Sequence, residues 1–258
     1  MLTVQSLTAG YGALAVLHGI SLTVGDGESV GIIGANGAGK TTLVRAICGL
    51  NRPMGGRIGM GGIDLTPLPA HDRAKHGIAT LLENRHLFGS FTIRENLRLA
   101  EEAGRKLRRD RSMFAWKDIC ELFPMIPERE DTRVELLSGG QQQMVAVARC
   151  LLLQPDILIL DEPSTGLAPK VLKDILQVLS SLCGRGMAIL LVEQNVGIAS
   201  RLTDRAYVMS LGCIAHEVAG AEWKNFAGDE RLAKAYLGGG ERQREKNHSE
   251  NPLPERLG

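Results

Sequence analysis

GANGAGKTT, residues Gly34–Thr42, sits between an apolar run, Ser29–Ile33, and a helical pattern, Leu43-Val44-Arg45-Ala46-Ile47. It fits G-x-x-x-x-G-K-[ST], with Gly34, Gly39, Lys40 and Thr41 at the fixed positions. Strand, loop, helix is the context in which this spacing captures phosphate. Glycines such as Gly37 and Gly39 let successive backbone N–H groups, Asn36 among them, turn toward phosphate oxygens without a Cβ in the way. The helix that follows adds the positive end of its dipole. Lys40 supplies a cation for the β and γ phosphates, and the Thr41 hydroxyl, with Thr42 beside it, can ligate Mg²⁺. The chain is therefore expected to bind a nucleoside triphosphate. The loop alone does not say what the energy drives.

Outward from that loop the pattern is α/β. Toward the N-terminus, the runs Leu2–Leu7, Ala15–Val24 and Ser29–Ile33 read as strands separated by glycine turns. Gly55–Leu65 reads as a hairpin about Gly61-Gly62, Pro69–Lys75 as a short helix and Gly77–Leu82 as a strand. Thr92–Ala103 is expected to be helical, with Thr92 and Glu95 as a capping box, and a second helix covers about Ala115–Phe123. The alternation then resumes. Helices are expected at Gly140–Leu153, Pro169–Gly184 and Val196–Leu202, and strands at Ile157–Leu160, Met187–Val192, Ala206–Met209 and Cys213–His216. Alternating strands and helices predict a mostly parallel sheet with helices on both faces. The helical stretch 92–137 reads as an insertion. The expected division places the N-terminal portion of the core in residues 1–83, a helical subdomain in 84–137, the C-terminal portion of the core in 138–237 and a polar, disordered tail in 238–258.

Composition excludes several alternatives. The 258 residues suffice for a sizeable core, and 44% hydrophobic with 23% charged residues is ordinary for a globular chain. A net charge of +1 and only ten aromatic residues make no case for nucleic acid as a partner. No apolar stretch approaches the length of a membrane span, and the N-terminus lacks a signal-peptide pattern. The five cysteines are scattered and never form C-x-x-C, which suits a reducing compartment and small buried hydrophobes. The basic run Gly104–Arg111 reads as a solvated helix or loop face.

Two further stretches carry chemistry. Ile157-Leu158-Ile159-Leu160-Asp161-Glu162 is an apolar strand that delivers two carboxylates at its carboxyl end, where open α/β sheets bind ligands. Asp161 would hold Mg²⁺, and Glu162 would act as general base toward the attacking water. Leu137-Ser138-Gly139-Gly140-Gln141 is the more specific signal. Ser138 and Gln141 make a capping box. Capping does not require two glycines, whereas a second phosphate-binding surface at a helix N-terminus does. One chain with one triphosphate does not need two cradles, so this surface is expected to serve a nucleotide held by a partner subunit.

The phosphate loop, the LSGGQ stretch and the strand ending in Asp161-Glu162, in that order and spacing, resemble the ATPase subunit of an ABC transporter over roughly residues 2–237. The resemblance implies a P-loop, RecA-like core with an N-terminal antiparallel β subdomain and an inserted helical subdomain. It also implies a head-to-tail dimer that sandwiches two ATP molecules. Each P-loop would face Ser138, Gly139, Gly140 and Gln141 of the other subunit, and Tyr11 would stack on adenine. Two positions depart from the general family. Glu83 stands where a glutamine usually serves Mg²⁺ and water, and Gln194 stands where a histidine usually contacts the γ-phosphate. A glutamine amide donates a hydrogen bond but takes up no proton. Acidic character is also missing after Pro163-Ser164.

These departures, with the Val192-Glu193-Gln194-Asn195 run, Gly166–Pro169 and the closing Ala235–Gly239, are similar to one subgroup. It comprises the ATPases of high-affinity branched-chain amino-acid importers, in particular the shorter of their two. That similarity implies two transmembrane permease subunits, a second related ATPase or a second copy of this chain, and a substrate-binding protein. It also implies a peripheral position on the cytoplasmic face of the inner membrane. Leu82-Glu83-Asn84-Arg85 differs from the subgroup's usual Pro-Glu-Gly-Arg. The alternatives are a non-transport ABC ATPase of repair or translation type, and a nucleotide-sensing module without turnover. The first usually carries coiled-coil inserts or a second ATPase domain, which this chain lacks. The second sits poorly with the presence of Lys40, Ser138 and Glu162.

Overall fold

The computed structural model describes residues 1–107 and 113–228. The expected tail, the run Ala235–Gly239 and the basic positions Arg108–Arg111 lie outside these residues. Two sheets form the body. The first is antiparallel, in the order β2-β1-β4-β5, from β1 (Leu2–Tyr11), β2 (Leu14–Val24), β4 (Gly55–Met60) and β5 (Ile63–Asp64). The second contains β3 (Ser29–Gly34), β6 (Ile78–Leu81), β7 (Ile157–Asp161), β8 (Ala188–Glu193), β9 (Arg205–Ser210) and β10 (Cys213–Ala219), in the order β10-β9-β3-β8-β7-β6. Only its β9–β10 pair is antiparallel.

The period of 2 along β7 explains how the central sheet is sandwiched. Ile157 and Ile159 face a core shared with the first sheet and with α1 (Lys40–Ile47). Leu158 and Leu160 face the opposite core, built with α3 (Ile93–Leu107), α6 (Gly139–Leu152) and α7 (Pro169–Gly184). Each fully buried aliphatic side chain of this kind is worth about 1.5–3 kcal/mol. A third cluster joins Ile33, Ala206 and Val208 to Val196 and Ala199 of α8 (Val196–Leu202) and to Trp223 of α9 (Gly220–Gly228). The Trp223 indole N–H reaches the Thr203 carbonyl and hydroxyl, each at 3.1 Å. This last helix is absent from the sequence-based expectation.

Between β6 and α6 the chain forms α3, α4 (Trp116–Leu122) and α5 (Met125–Glu128), then a 3₁₀ turn at Val134–Leu136. The expected capping box is present: the Thr92 N–H donates to Glu95 and the Glu95 N–H to the Thr92 hydroxyl, at 2.8 and 3.1 Å. The helix runs past Ala103 to Leu107, and within it Gly104 is buried against Leu152, where an added Cβ would lie 2.1 Å from its carbonyl oxygen. Another unforeseen support is Arg73, in α2 (Ala70–Lys75), only 1% exposed. Its guanidinium donates to the carbonyls of Ala46 and Ile47 at 2.7 Å each, and to those of Leu68 and Thr66. A cation thereby closes the C-terminal end of α1, where the helix dipole is negative.

Candidate nucleotide site

Parallel register aligns three strand ends. Ile33 pairs with Glu193 between β3 and β8, and Asp161 pairs with Val192 between β7 and β8. The P-loop, Asp161-Glu162 and Glu193-Gln194 therefore emerge together at the carboxyl edge of the sheet. Asn36 and Gly37 are exposed there, while Lys40 and Thr42 are buried. Gly39 adopts φ 100°, a left-handed conformation, and its added Cβ would meet Leu17 Cδ2 at 2.9 Å. Glycine at this point is what lets the loop turn into α1.

The Lys40 ammonium is inside the loop. Its Nζ donates to the carbonyls of Gly34 and Ala35 at 2.9 and 3.1 Å, and lies 3.2 Å from Glu162 Oε1. Glu162 has φ 49° and donates its backbone N–H to the Val192 carbonyl at 2.9 Å. Its carboxylate also accepts from the Gln194 amide and, at 3.4 Å, from the Thr165 hydroxyl. Asp161 is 1% exposed, and neither of its carboxylate oxygens has a hydrogen-bond partner of ordinary geometry. Burial pushes its pKa up to about 6, and the charges of Glu162 and Glu83 add to the rise, while the nearby Thr41 hydroxyl and Lys40 oppose it. Glu193 is also buried and raised by desolvation; the Ser164 N–H donates to it at 3.2 Å. Tyr11 is exposed at the rim, with its phenol oxygen 3.5 Å from the Thr42 hydroxyl.

Glu83 is exposed and lines a cleft of about 430 Å³ with Arg85, Gln142, Gln143, Glu162 and Thr165. Arg85 bridges that loop to α6, donating through Nε to Gln143 Oε1 at 2.7 Å. The signature residues form the expected capping box. The Ser138 N–H donates to Gln141 Oε1 at 3.0 Å, and the Gln141 N–H to Ser138 Oγ at 3.3 Å. Ser138 and Gly139 are exposed, and among the described residues no hydrogen bond or ion pair joins Ser138–Gln141 to the P-loop. Gly140 has a second reason to be glycine. An added Cβ would lie 2.3 Å from Val171 Cγ1, so α6 and α7 pack where a side chain would stand. Sequence reasoning missed Arg85, Val171 and the Gln194–Glu162 contact. All are long-range pairings without a local pattern.

The ABC transporter family matches residues 17–165. The high-affinity branched-chain amino acid transport ATP-binding protein BraG of Pseudomonas aeruginosa is 38% identical over 240 residues, covering 93% of this chain and 100% of that protein. The lipopolysaccharide export system ATP-binding protein LptB of Haemophilus influenzae is 34% identical over 238 residues, covering 92% and 97%. Among solved structures, the ADP conformation of an ATP-binding cassette of an ABC transporter superposes with a TM-score of 0.75 at 28% identity, covering 92% of this chain and 98% of that one. The P-loop, the paired carboxylates and the capped LSGGQ helix lie on the fold that these relatives share: the chain belongs to the ABC transporter family, as one of its ATP-hydrolysing cassettes.

Proposed function

We propose that this cassette energises uptake of branched-chain or related amino acids, as one half of a dimer that closes on ATP. The observation that carries the hydrolytic role is the meeting of Lys40, Asp161 and Glu162 at the ends of β3 and β7. The import role is supported by the BraG similarity together with Glu83 and the Val192–Asn195 run. The similarity to an export ATPase is weaker.

On ATP binding, Lys40 would exchange Glu162 and its loop carbonyls for the β and γ phosphates. Backbone N–H groups of Asn36, Gly37 and Gly39 would cradle the phosphates, with Thr42 behind them, and Tyr11 would stack on adenine. Asp161 fits a cation site, because two buried oxygens without hydrogen bonds are unfavourable unless something positive meets them. Asp161, Thr41 and Glu83 would hold Mg²⁺, which offsets phosphate charge when bound. Glu162 would take a proton from water as the water oxygen bonds to the γ-phosphorus and the bond to the bridging oxygen of ADP breaks. Ser138, Gly139, Gly140 and Gln141 would face the γ-phosphate of ATP held by the other subunit. Residues 84–137 would form the helical unit that passes this closure to two permease subunits. A substrate-binding protein would deliver cargo, and the cassette would sit on the cytoplasmic face of the membrane. Among the described residues no helix is long and apolar enough to cross one.

The test is reconstitution of the chain with its membrane subunits in lipid vesicles. ATP-dependent accumulation of labelled leucine, isoleucine or valine, lost in Lys40→Ala, is the expected result. ATP turnover without any amino-acid movement would refute the import reading.

A further inference from the structure

The turn between β9 and β10 is two residues long, Leu211 and Gly212, with Ser210 paired to Cys213 across it. Both turn residues have positive φ, 49° and 76°, the pattern of tight hairpin turns that favour Asn-Gly. A leucine in the left-handed region is unfavourable, so it persists only where the surroundings hold the turn. They hold it from two sides. The Gly212 carbonyl accepts from the His18 N–H of β2 at 2.9 Å, and the Gly212 N–H donates to the Ala38 carbonyl of the P-loop at 3.0 Å. The turn lies so close to β2 that a Cβ added at Gly212 would stand 1.9 Å from the Val16 carbonyl oxygen. The same hairpin backs the other end of the P-loop. There Gly34 pairs with Met209, and a Cβ added at Gly34 would stand 2.6 Å from the Met209 carbonyl oxygen.

The bond to Ala38 has a geometric consequence. In a trans peptide the carbonyl and the N–H of the next residue point in opposite directions. With the Ala38 carbonyl held by Gly212, the Gly39 N–H is turned away from the hairpin, to the side where phosphate is expected. That N–H lies at the start of α1, among the donors that a helix leaves without an internal acceptor. Glycine lets the loop turn at Gly39, but its freedom also makes the Ala38–Gly39 peptide easy to flip. We infer that Gly212 is a positioning residue for nucleotide binding, whose N–H holds the Ala38–Gly39 peptide in place and so keeps the Gly39 N–H aimed at phosphate. The inference rests on the phosphate-loop reading given above.

The test removes one backbone donor at a time. The full-length chain is made with an ester in place of the Leu211–Gly212 amide, which deletes the Gly212 N–H. A second chain carries an ester in place of the Leu17–His18 amide, which deletes the other hydrogen bond of the same turn. Equilibrium affinity for ADP and ATP with Mg²⁺ is read for each, beside urea unfolding to show that each folds. The Gly212 ester should bind both nucleotides about tenfold to a hundredfold more weakly, because a charge-assisted contact to phosphate is lost. The His18 ester should stay within about threefold of the unmodified chain. Gly212→Ala, whose Cβ must push the turn off Val16, should bind as weakly as the Gly212 ester. The inference is overturned if the Gly212 ester binds ADP and ATP as the unmodified chain does. It is also overturned if the two esters weaken binding equally, which would make the turn a general support and not an aiming device. Unchanged nucleotide affinity in Lys40→Ala is a different failure, which removes the phosphate-loop reading itself. Should Gly212→Ala not fold, the two esters carry the same comparison.

Discussion

Replacing Gly140 by alanine puts a methyl group where α7 already stands. The new Cβ would lie 2.3 Å from Val171 Cγ1 and 2.9 Å from both Cβ and Cγ2 of that residue. Carbon atoms rest at about 3.5–4.0 Å, so the closest overlap exceeds about 1 Å. Overpacking of this kind costs about 1–3 kcal/mol. An overlap this deep lies in the upper part of that range, about 2–3 kcal/mol, and alanine recovers up to about 1 kcal/mol of helix propensity in α6, which leaves a net loss of about 1–2 kcal/mol. Val171→Ala removes Cγ1 and Cγ2 and leaves only the 2.9 Å approach to Cβ. Alone it should cost about 1 kcal/mol, as two methyl groups leave a half-buried site. Combined, the two changes should be coupled favourably by about 1 kcal/mol. Urea unfolding of the subunit, its two single variants and the double variant measures all four terms. Losses that simply add, or a Gly140→Ala variant as stable as wild type, would refute the packing account. ATPase activity of the same variants in the assembled transporter then separates packing from phosphate contact. Stability that returns without turnover leaves Gly140 serving the nucleotide of the other subunit. Turnover that returns with stability makes it a packing glycine alone.

Arg73→Met keeps the aliphatic bulk but removes the donor from four carbonyl groups, two of them at the end of α1, of which Ala46 keeps only the Gly49 N–H at 3.2 Å. Urea unfolding should show a loss of about 2–4 kcal/mol, and a loss within experimental error would contradict the role given to the guanidinium. Lys40→Ala should lower ATP affinity at least about a hundredfold in equilibrium binding, and unchanged affinity would refute the P-loop assignment. Burial pushes the thiols of Cys48 and Cys150 up to about 12. At pH 8 only about one in ten thousand of each is thiolate. Iodoacetamide should therefore modify exposed Cys213 in the native protein and reach Cys48 and Cys150 only after denaturation, as read by peptide mass; native labelling of either would contradict their burial.

Helix α7 was legible in the sequence to both ends, because Pro169 starts it, Gly184 ends it and the apolar spacing of Ile175, Leu179 and Leu182 fits one buried face. The strands that end in carboxylates, β7 and β8, were legible too, since an apolar run followed by a carboxylate needs only local pattern. Helix α9 was not. It follows β10 directly through Gly220 at φ 57°, with no polar N-cap to announce it, and the buried Trp223 in GAEWKNFAG makes no apolar period with its neighbours Ala221, Glu222, Lys224 and Asn225. The role of Arg73 was not legible within the short helix expected at Pro69–Lys75, because the carbonyls it satisfies belong to residues up to 27 positions away. The partners of Glu162 and Gly140 were hidden for the same reason. Gln194 is 32 residues from Glu162, and Val171 reaches Gly140 only when α6 and α7 pack. Periodicity reports what one element buries, not which side chain of another element meets it.

The proposed hydrolytic role stands on Glu162, held beside Lys40 at 3.2 Å. The nucleotide content and turnover of the assembled transporter carrying Glu162→Gln test it without an intermediary. After incubation with Mg²⁺ and ATP and removal of free nucleotide, the variant should retain ATP, not ADP, with turnover reduced at least about a hundredfold. Bound ADP with turnover close to wild type would contradict it.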